Sequence, residues 1–130
     1  MNEKRLAEIP LFSGLDDEAL RTVAKVAQEV SVSEGAELVR EGDYSYELTV
    51  IDEGEAEVTH GDDGEKVATL GPGDVFGEAG VLSKGMRNAT VRASTNMRLI
   101  TLTGWDLRRL RGRIPELEER VSKLAAERAK

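Results

Sequence analysis

The chain contains no cysteine, which removes disulfides, iron–sulfur clusters and thiolate zinc sites together. A reducing cytosol favours such a composition, and the expected location is cytoplasmic. Aromatic residues make up only 4%, so the core has to be built largely from Val, Leu, Ile and Ala. There is one histidine. With no cysteine beside it, no nucleophile–base pair is evident, and the chain is not expected to be an enzyme. No apolar run approaches the roughly 18–20 residues that cross a bilayer, and Met1-Asn2-Glu3-Lys4-Arg5 leads into no apolar signal segment. No membrane partner is expected. Basic residues are outnumbered, 18 Lys and Arg against 25 Asp and Glu, for a net charge of −7. Phosphate contacts need a basic face, so direct nucleic-acid binding is not expected either.

What is present fits one soluble domain of 130 residues, with 39% apolar and 33% charged side chains. The charge is uneven. Residues 105–130 carry eight Lys/Arg against five Asp/Glu, whereas residues 1–104 carry ten against twenty. The basic tail reads first as a solvated helix face and second as a docking surface.

The chain divides into a helical start (1–28), a glycine-punctuated middle (29–103) and a helical end (104–130). Asp16-Asp17-Glu18 places acids where a helix N-terminus favours them, and Leu20, Val23, Ala24 and Ala27 follow at helical spacing. Leu11-Phe12-Ser13-Gly14-Leu15 reads as a short apolar turn under the core. From Val30 the period becomes two, at Val30 and Val32, partly at Val50, Ala56 and Val58, and later at Val67, Thr69 and Val75. Breaks fall at Glu34-Gly35, Glu41-Gly42-Asp43, Glu53-Gly54, Asp62-Asp63-Gly64 and Gly71-Pro72-Gly73-Asp74. Asp63-Gly64 predicts a two-residue hairpin turn between Val58 and Val67. Further strands are expected at 89–93 and 97–102. The fold class that follows is mainly β with flanking helices: an antiparallel jelly-roll β-barrel of about eight strands, with N-terminal helices and two C-terminal helices.

At the C-terminal end Leu107, Leu110, Ile114, Leu117, Val121 and Leu124 alternate spacings of three and four. Pro115 interrupts the seam and is favoured at a helix start, so two helices are predicted, about 104–113 and 115–129. The seam packs on the barrel in the first reading; in the second it pairs with another chain as a homodimer.

Residues 73–93 carry the chemistry. Gly77 after Val75-Phe76 permits a close backbone approach. Glu78-Ala79-Gly80-Val81-Leu82 suits a single helical turn, whose free N–H groups make an anion site. Arg87 stands just beyond, before the small residues Ala89 and Thr90, and an arginine beside such a turn grips one phosphate from several sides. Glu78 would repel a phosphate and makes sense only against another part of the ligand, such as a sugar hydroxyl.

Phe76-Gly77-Glu78 and Arg87-Asn88-Ala89-Thr90 together resemble the phosphate-binding cassette (73–91) of the cyclic-nucleotide-binding domain family, in the style of the cAMP-receptor and protein-kinase-A regulatory domains. The likeness extends over most of the chain, through Ile9-Pro10-Leu11-Phe12, Glu41-Gly42-Asp43, Val50-Ile51-Asp52-Glu53-Gly54 and Leu70-Gly71-Pro72-Gly73-Asp74. It implies a single domain over 1–130 that senses cAMP, with cGMP as the other possible ligand, and no cofactor. Arg87 would pair with the phosphate oxygens, Glu78 would accept the ribose 2′-hydroxyl, and the amides of Gly77, Ala79 and Ala89 would add donors. Asn88 stands where a threonine is associated with cGMP, which leans the base preference toward cAMP. Ala79 and Gly80 are smaller than the family's common leucine and alanine. The helices after Gly104 would close over the ligand and transmit its presence to a protein partner, with Leu117, Val121 and Leu124 as candidates for covering the base. The competing readings are an interaction module of the same fold without nucleotide, in which Arg87 only pairs with Glu78, and the sensor half of a transcription regulator if the chain is truncated after Lys130.

Other residues read as structural. His60, near a hairpin tip, is expected to be a solvated loop residue and not a metal ligand. Trp105 is expected to pack, with stacking on a purine as the alternative. Arg92 and Arg98 are expected to face water. Asp62, Asp63 and Glu65 lack the ligand series of a calcium loop.

Overall fold

A computed structural model of the chain describes residues 3–39, 47–61, 64–76 and 89–128. Helix α1 (Glu3–Glu8) leads through the apolar turn at 9–15 into helix α2 (Asp17–Val26). Asp16 caps α2, its Oδ1 accepting from the Ala19 amide at 2.8 Å, a contact that contributes about 1 kcal/mol. Phe12 and Leu6 are fully buried, so the turn is a wedge of the core.

Eight strands follow among the described residues: β1 (Gln28–Val32), β2 (Glu37–Val39), β3 (Glu47–Glu53), β4 (Ala56–His60), β5 (Glu65–Leu70), β6 (Val75–Phe76), β7 (Thr90–Ala93) and β8 (Met97–Thr103). They form two antiparallel four-stranded sheets, ordered β1-β8-β3-β6 and β2-β7-β4-β5. Helix α3 (Gly104–Arg113) starts at Thr103, whose Oγ1 accepts from the Asp106 amide at 3.1 Å. Helix α4 (Pro115–Arg128) starts on Pro115. The expected jelly-roll architecture and its paired terminal helices are therefore present.

The core has two parts. Between the sheets lie Ile51, Ala56, Leu70, Phe76, Val91, Ala93, Met97 and Leu99. On the outer face of the first sheet, Leu48, Val50, Val75, Ile100 and Leu102 are covered by apolar residues of the four helices among the described residues. Strand β3 therefore buries Leu48, Thr49, Val50 and Ile51 in succession. A strict alternation fails there because both faces of the strand are covered. The C-terminal seam is spent in the outer core: Leu107, Leu110, Ile114, Leu117 and Val121 are all buried there. The packing reading holds for these five; the Leu124 side chain lies outside the described residues.

Four expectations need correction. The β4–β5 hairpin exists, but His60, expected in a loop, is the last residue of β4 and pairs with Glu65, and the Gly64 amide donates to the Gly61 carbonyl at 3.1 Å. The connection is thus a four-residue loop instead of a two-residue turn; Asp62 and Asp63 lie outside the described residues. Val67 is 56% exposed, since β5 is a sheet edge whose residues stay in solvent up to Thr69. Trp105 is 73% exposed and packs on nothing in the core. As expected, Arg92 and Arg98 sit at the surface, paired with Glu37 and with Glu29 and Glu53. The turn expected at Glu41-Gly42-Asp43 lies outside the described residues.

The β3–β4 turn depends on Gly54. Its φ is +97°, and a Cβ there would stand 2.5 Å from the Asn96 carbonyl oxygen. The obstacle is backbone, which cannot rotate aside. Gly54→Ala is expected to lower unfolding free energy by at least about 2 kcal/mol, read as a fall in the urea midpoint. An unchanged midpoint would show that the 94–97 turn moves freely.

Candidate functional site

The described strands on either side of the cassette expected from the sequence, β6 and β7, belong to different sheets. Strand β6 ends at Phe76 beside Thr49 of β3, and Thr49 in turn faces Thr101 of β8. The chain therefore leaves β6 toward the end of the sheet at which β8 passes into α3. It re-enters the second sheet at Thr90 of β7, opposite Thr59 of β4. Of the predicted site residues, Phe76 is buried between the sheets at 3% exposure, and Ala89 and Thr90 are half-buried. Gly77, Glu78, Ala79, Arg87 and Asn88 lie outside the described residues.

The approach to β6 is firmly pinned. The Gly73 amide donates to the Ile51 carbonyl at 2.8 Å, and the Ile51 amide donates to the Asp74 carbonyl at 2.9 Å. Asp74 also closes its own turn, its Oδ2 accepting from the Gly71 amide at 2.8 Å. Gly73 has φ +89° and lies so near Pro10 that a Cβ would sit 3.3 Å from its ring. The strand that delivers Phe76 is thus braced by β3 on one side and by the N-terminal turn on the other.

The second sheet contributes an apolar wall. Val39 of β2 and Val58 of β4 both stand in register with Val91 of β7. Val91 is buried, while Val39 and Val58 are half-buried and pack against the inner core. This row of three β-branched residues runs beside Thr90, where β7 begins. Stiff apolar side chains in a row make a surface on which a planar ring system can lie. The sequence reading did not single the row out, because only strand pairing reveals that Val39, Val58 and Val91 are neighbours.

The terminal helices are joined by an arginine that no local pattern announced. Arg120 of α4 donates from Nη1 to the Leu11 carbonyl at 2.7 Å and to the Ser13 carbonyl at 2.8 Å. Glu116 one turn back lies 3.7 Å from its other nitrogen. Between the start of α2 and the α3–α4 elbow lies a groove of about 450 Å³, lined by Asp16, Glu18, Thr22, Arg113, Pro115 and Glu116. Of the lid candidates, Leu117 and Val121 belong to the helix-side core and so are not turned to the space between the sheets.

One cluster of charged side chains elsewhere is structural. Arg5 pairs with Asp52, with Glu29 at 3.1 Å and with Glu53 at 3.7 Å, and Arg98 joins Glu29 and Glu53. These bonds hold α1 to the edges of β1 and β3. Among the described residues no group of His, Asp and Glu side chains is arranged to hold a metal ion, and no helix is long and apolar enough to cross a membrane.

Comparison with known proteins places this architecture. A model of the cyclic nucleotide-binding domain matches residues 29–113. The cAMP-dependent protein kinase regulatory subunit of Schizosaccharomyces pombe is 36% identical over 115 residues, which are 88% of this chain and 28% of that protein. The chain therefore spans less than a third of the length of that relative. The catabolite activator protein of Thermus thermophilus superposes with a TM-score of 0.82 at 28% identity, over 92% of this chain and 58% of that one. The regulatory domain of Toxoplasma gondii PKA, crystallised with cAMP, superposes with a TM-score of 0.72 at 34% identity, over 83% and 42%. With the family model running from β1 through α3 and the same sandwich in solved relatives, the chain belongs to the cyclic nucleotide-binding domain family.

Proposed function

We propose that residues 1–130 form a single non-catalytic cAMP sensor, acting in the cytoplasm and passing ligand occupancy to a protein partner through α3 and α4. The observation that carries this reading is the cassette's framing. Phe76-Gly77-Glu78 and Arg87-Asn88-Ala89-Thr90 are bounded by a pinned β6 and by β7, beside an apolar row of Val39, Val58 and Val91. Arg87 takes the cyclic phosphate, Glu78 takes the ribose hydroxyl, and amides of Gly77, Ala79 and Ala89 complete the cradle. The valine row receives the base. A relative crystallised with cAMP at 34% identity supports that choice of ligand.

Transmission needs an element with two arrangements of which the ligand prefers one. Helix α4 meets that need. It is held to the 9–15 turn by Arg120, it bends away from α3 at Ile114-Pro115, and an open groove borders the elbow. The 9–15 turn also braces Gly73 through Pro10, so a shift at the cassette's entry strand reaches the clasp.

Calorimetric titration of the chain with cAMP and then cGMP tests the reading. Saturable heat is expected with both, and tighter binding with cAMP. Absence of heat with either nucleotide refutes the sensor and leaves a module that works through protein contacts alone.

A further inference from the structure

Helix α3 has a second face that neither the core nor the nucleotide reading uses. Leu107 and Leu110 are buried, while Trp105, Arg108, Arg109, Gly112 and Arg113 line the opposite, exposed stripe. Trp105 is 73% exposed, and the Arg108 guanidinium stands 5.6 Å from the centre of its ring. Among the described residues no ion pair engages Arg108, Arg109 or Arg113. A chain with seven excess negative charges thus keeps Arg108 and Arg109 without an ion pair among the described residues, beside its only tryptophan, while Arg113 at the end of the stripe borders the groove that holds Asp16, Glu18 and Glu116.

Gly112 is the second observation. It lies on the same stripe, its φ is outside the left-handed region, and a Cβ built on it meets nothing within 4 Å. Nothing inside the chain requires glycine there, although glycine weakens a helix relative to alanine. A bare stretch of helix backbone is useful where another chain approaches closely.

We propose that this stripe is a docking surface for an acidic segment of a partner protein, one that sets carboxylates on Arg108 and Arg109 and an apolar side chain against Trp105. Tryptophan and arginine are the residues that anchor protein interfaces most often. Charge decides between occupants. An anionic membrane or a nucleic acid is extended and would face the ten excess negative charges of residues 1–104 as well as the stripe. A short acidic segment engages Arg108 and Arg109 without spanning the acidic remainder of the chain. A second copy would bring a like net charge, and pairing this stripe with a different, acidic patch gives a contact that does not close.

The single tryptophan makes the test direct. A short glutamate-rich peptide with interspersed leucines is titrated into the intact chain at low salt while Trp105 emission is followed. The expected result is a saturable blue shift, with binding weakened about tenfold or more in the Arg108→Glu, Arg109→Glu double variant. Gly112→Ala is expected to raise the melting temperature and yet weaken peptide binding. These positions are exposed, and circular dichroism verifies that each variant stays folded. The proposal is overturned if no saturable shift occurs or if the charge-reversed variant binds equally. It is also overturned if phosphatidylserine vesicles shift the emission while the peptide does not, or if sedimentation shows Trp105-dependent self-association in the peptide's place. None of these outcomes involves a nucleotide, so the result is independent of the cAMP reading.

Discussion

Replacing Arg87 with alanine is expected to weaken cAMP binding by about 2–4 kcal/mol, or roughly 30- to 900-fold. The loss is large because the arginine would neutralise a phosphate that binding strips of water, and its partner anion would remain buried and uncompensated. Arg87→Lys should fall between the two. It keeps the charge but loses the two-pronged geometry that matches a pair of phosphate oxygens. Calorimetry on the parent and both variants measures this directly. A dissociation constant that is the same in all three removes Arg87 from the site and with it the cassette reading. Thermal stability without ligand should barely change, which separates a binding role from a structural one.

The second large effect is on folding. Phe12 is fully buried at the meeting point of α1, α2 and the outer face of the first sheet. Phe12→Ala removes its ring from a close-packed site and should cost about 3–5 kcal/mol of unfolding free energy. That is a large part of the stability of a domain this size, worth roughly 10–20 °C in melting temperature. Phe12→Leu should cost much less, since volume and apolarity are mostly kept. A loss below about 1 kcal/mol for the alanine variant would mean that the helices close over the gap. Binding measured at a temperature where the variant is folded tells whether the 9–15 turn also matters to the ligand.

Much of the architecture was legible because its signals are local. Proline at 115 within a three-four repeat marks the boundary between α3 and α4 without any tertiary information, and Gly64 marks a hairpin. What was not legible depends on which surfaces meet. Two coverings of one strand turn β3 from an alternating pattern into four consecutive buried residues. Arg120 reaches carbonyls on a distant turn, and a hydrogen bond to backbone leaves no trace in side-chain periodicity. Trp105 is a different case. Its place at a helix start, between Gly104 and Asp106, suggested packing, yet the seam of Leu107, Leu110 and Ile114 already turns position 105 to the far side of the helix. The periodicity was the better guide. At the candidate site the cassette was readable as a motif, and the valine row only from the strand register.

The clasp of Arg120 on the carbonyls of Leu11 and Ser13 joins positions 109 and 107 residues apart. Synthesis on the ribosome is vectorial, so the two halves of the core are completed at different moments. The residues between the sheets are present once Leu99 has emerged, whereas the outer face of β3 and β8 waits for α3 and α4. A nascent chain therefore passes through a stage in which Leu48, Val50, Ile100 and Leu102 are covered only by α1, α2 and the 9–15 turn. Chaperone capture and aggregation compete with folding at that stage, and the arginine clasp marks its end.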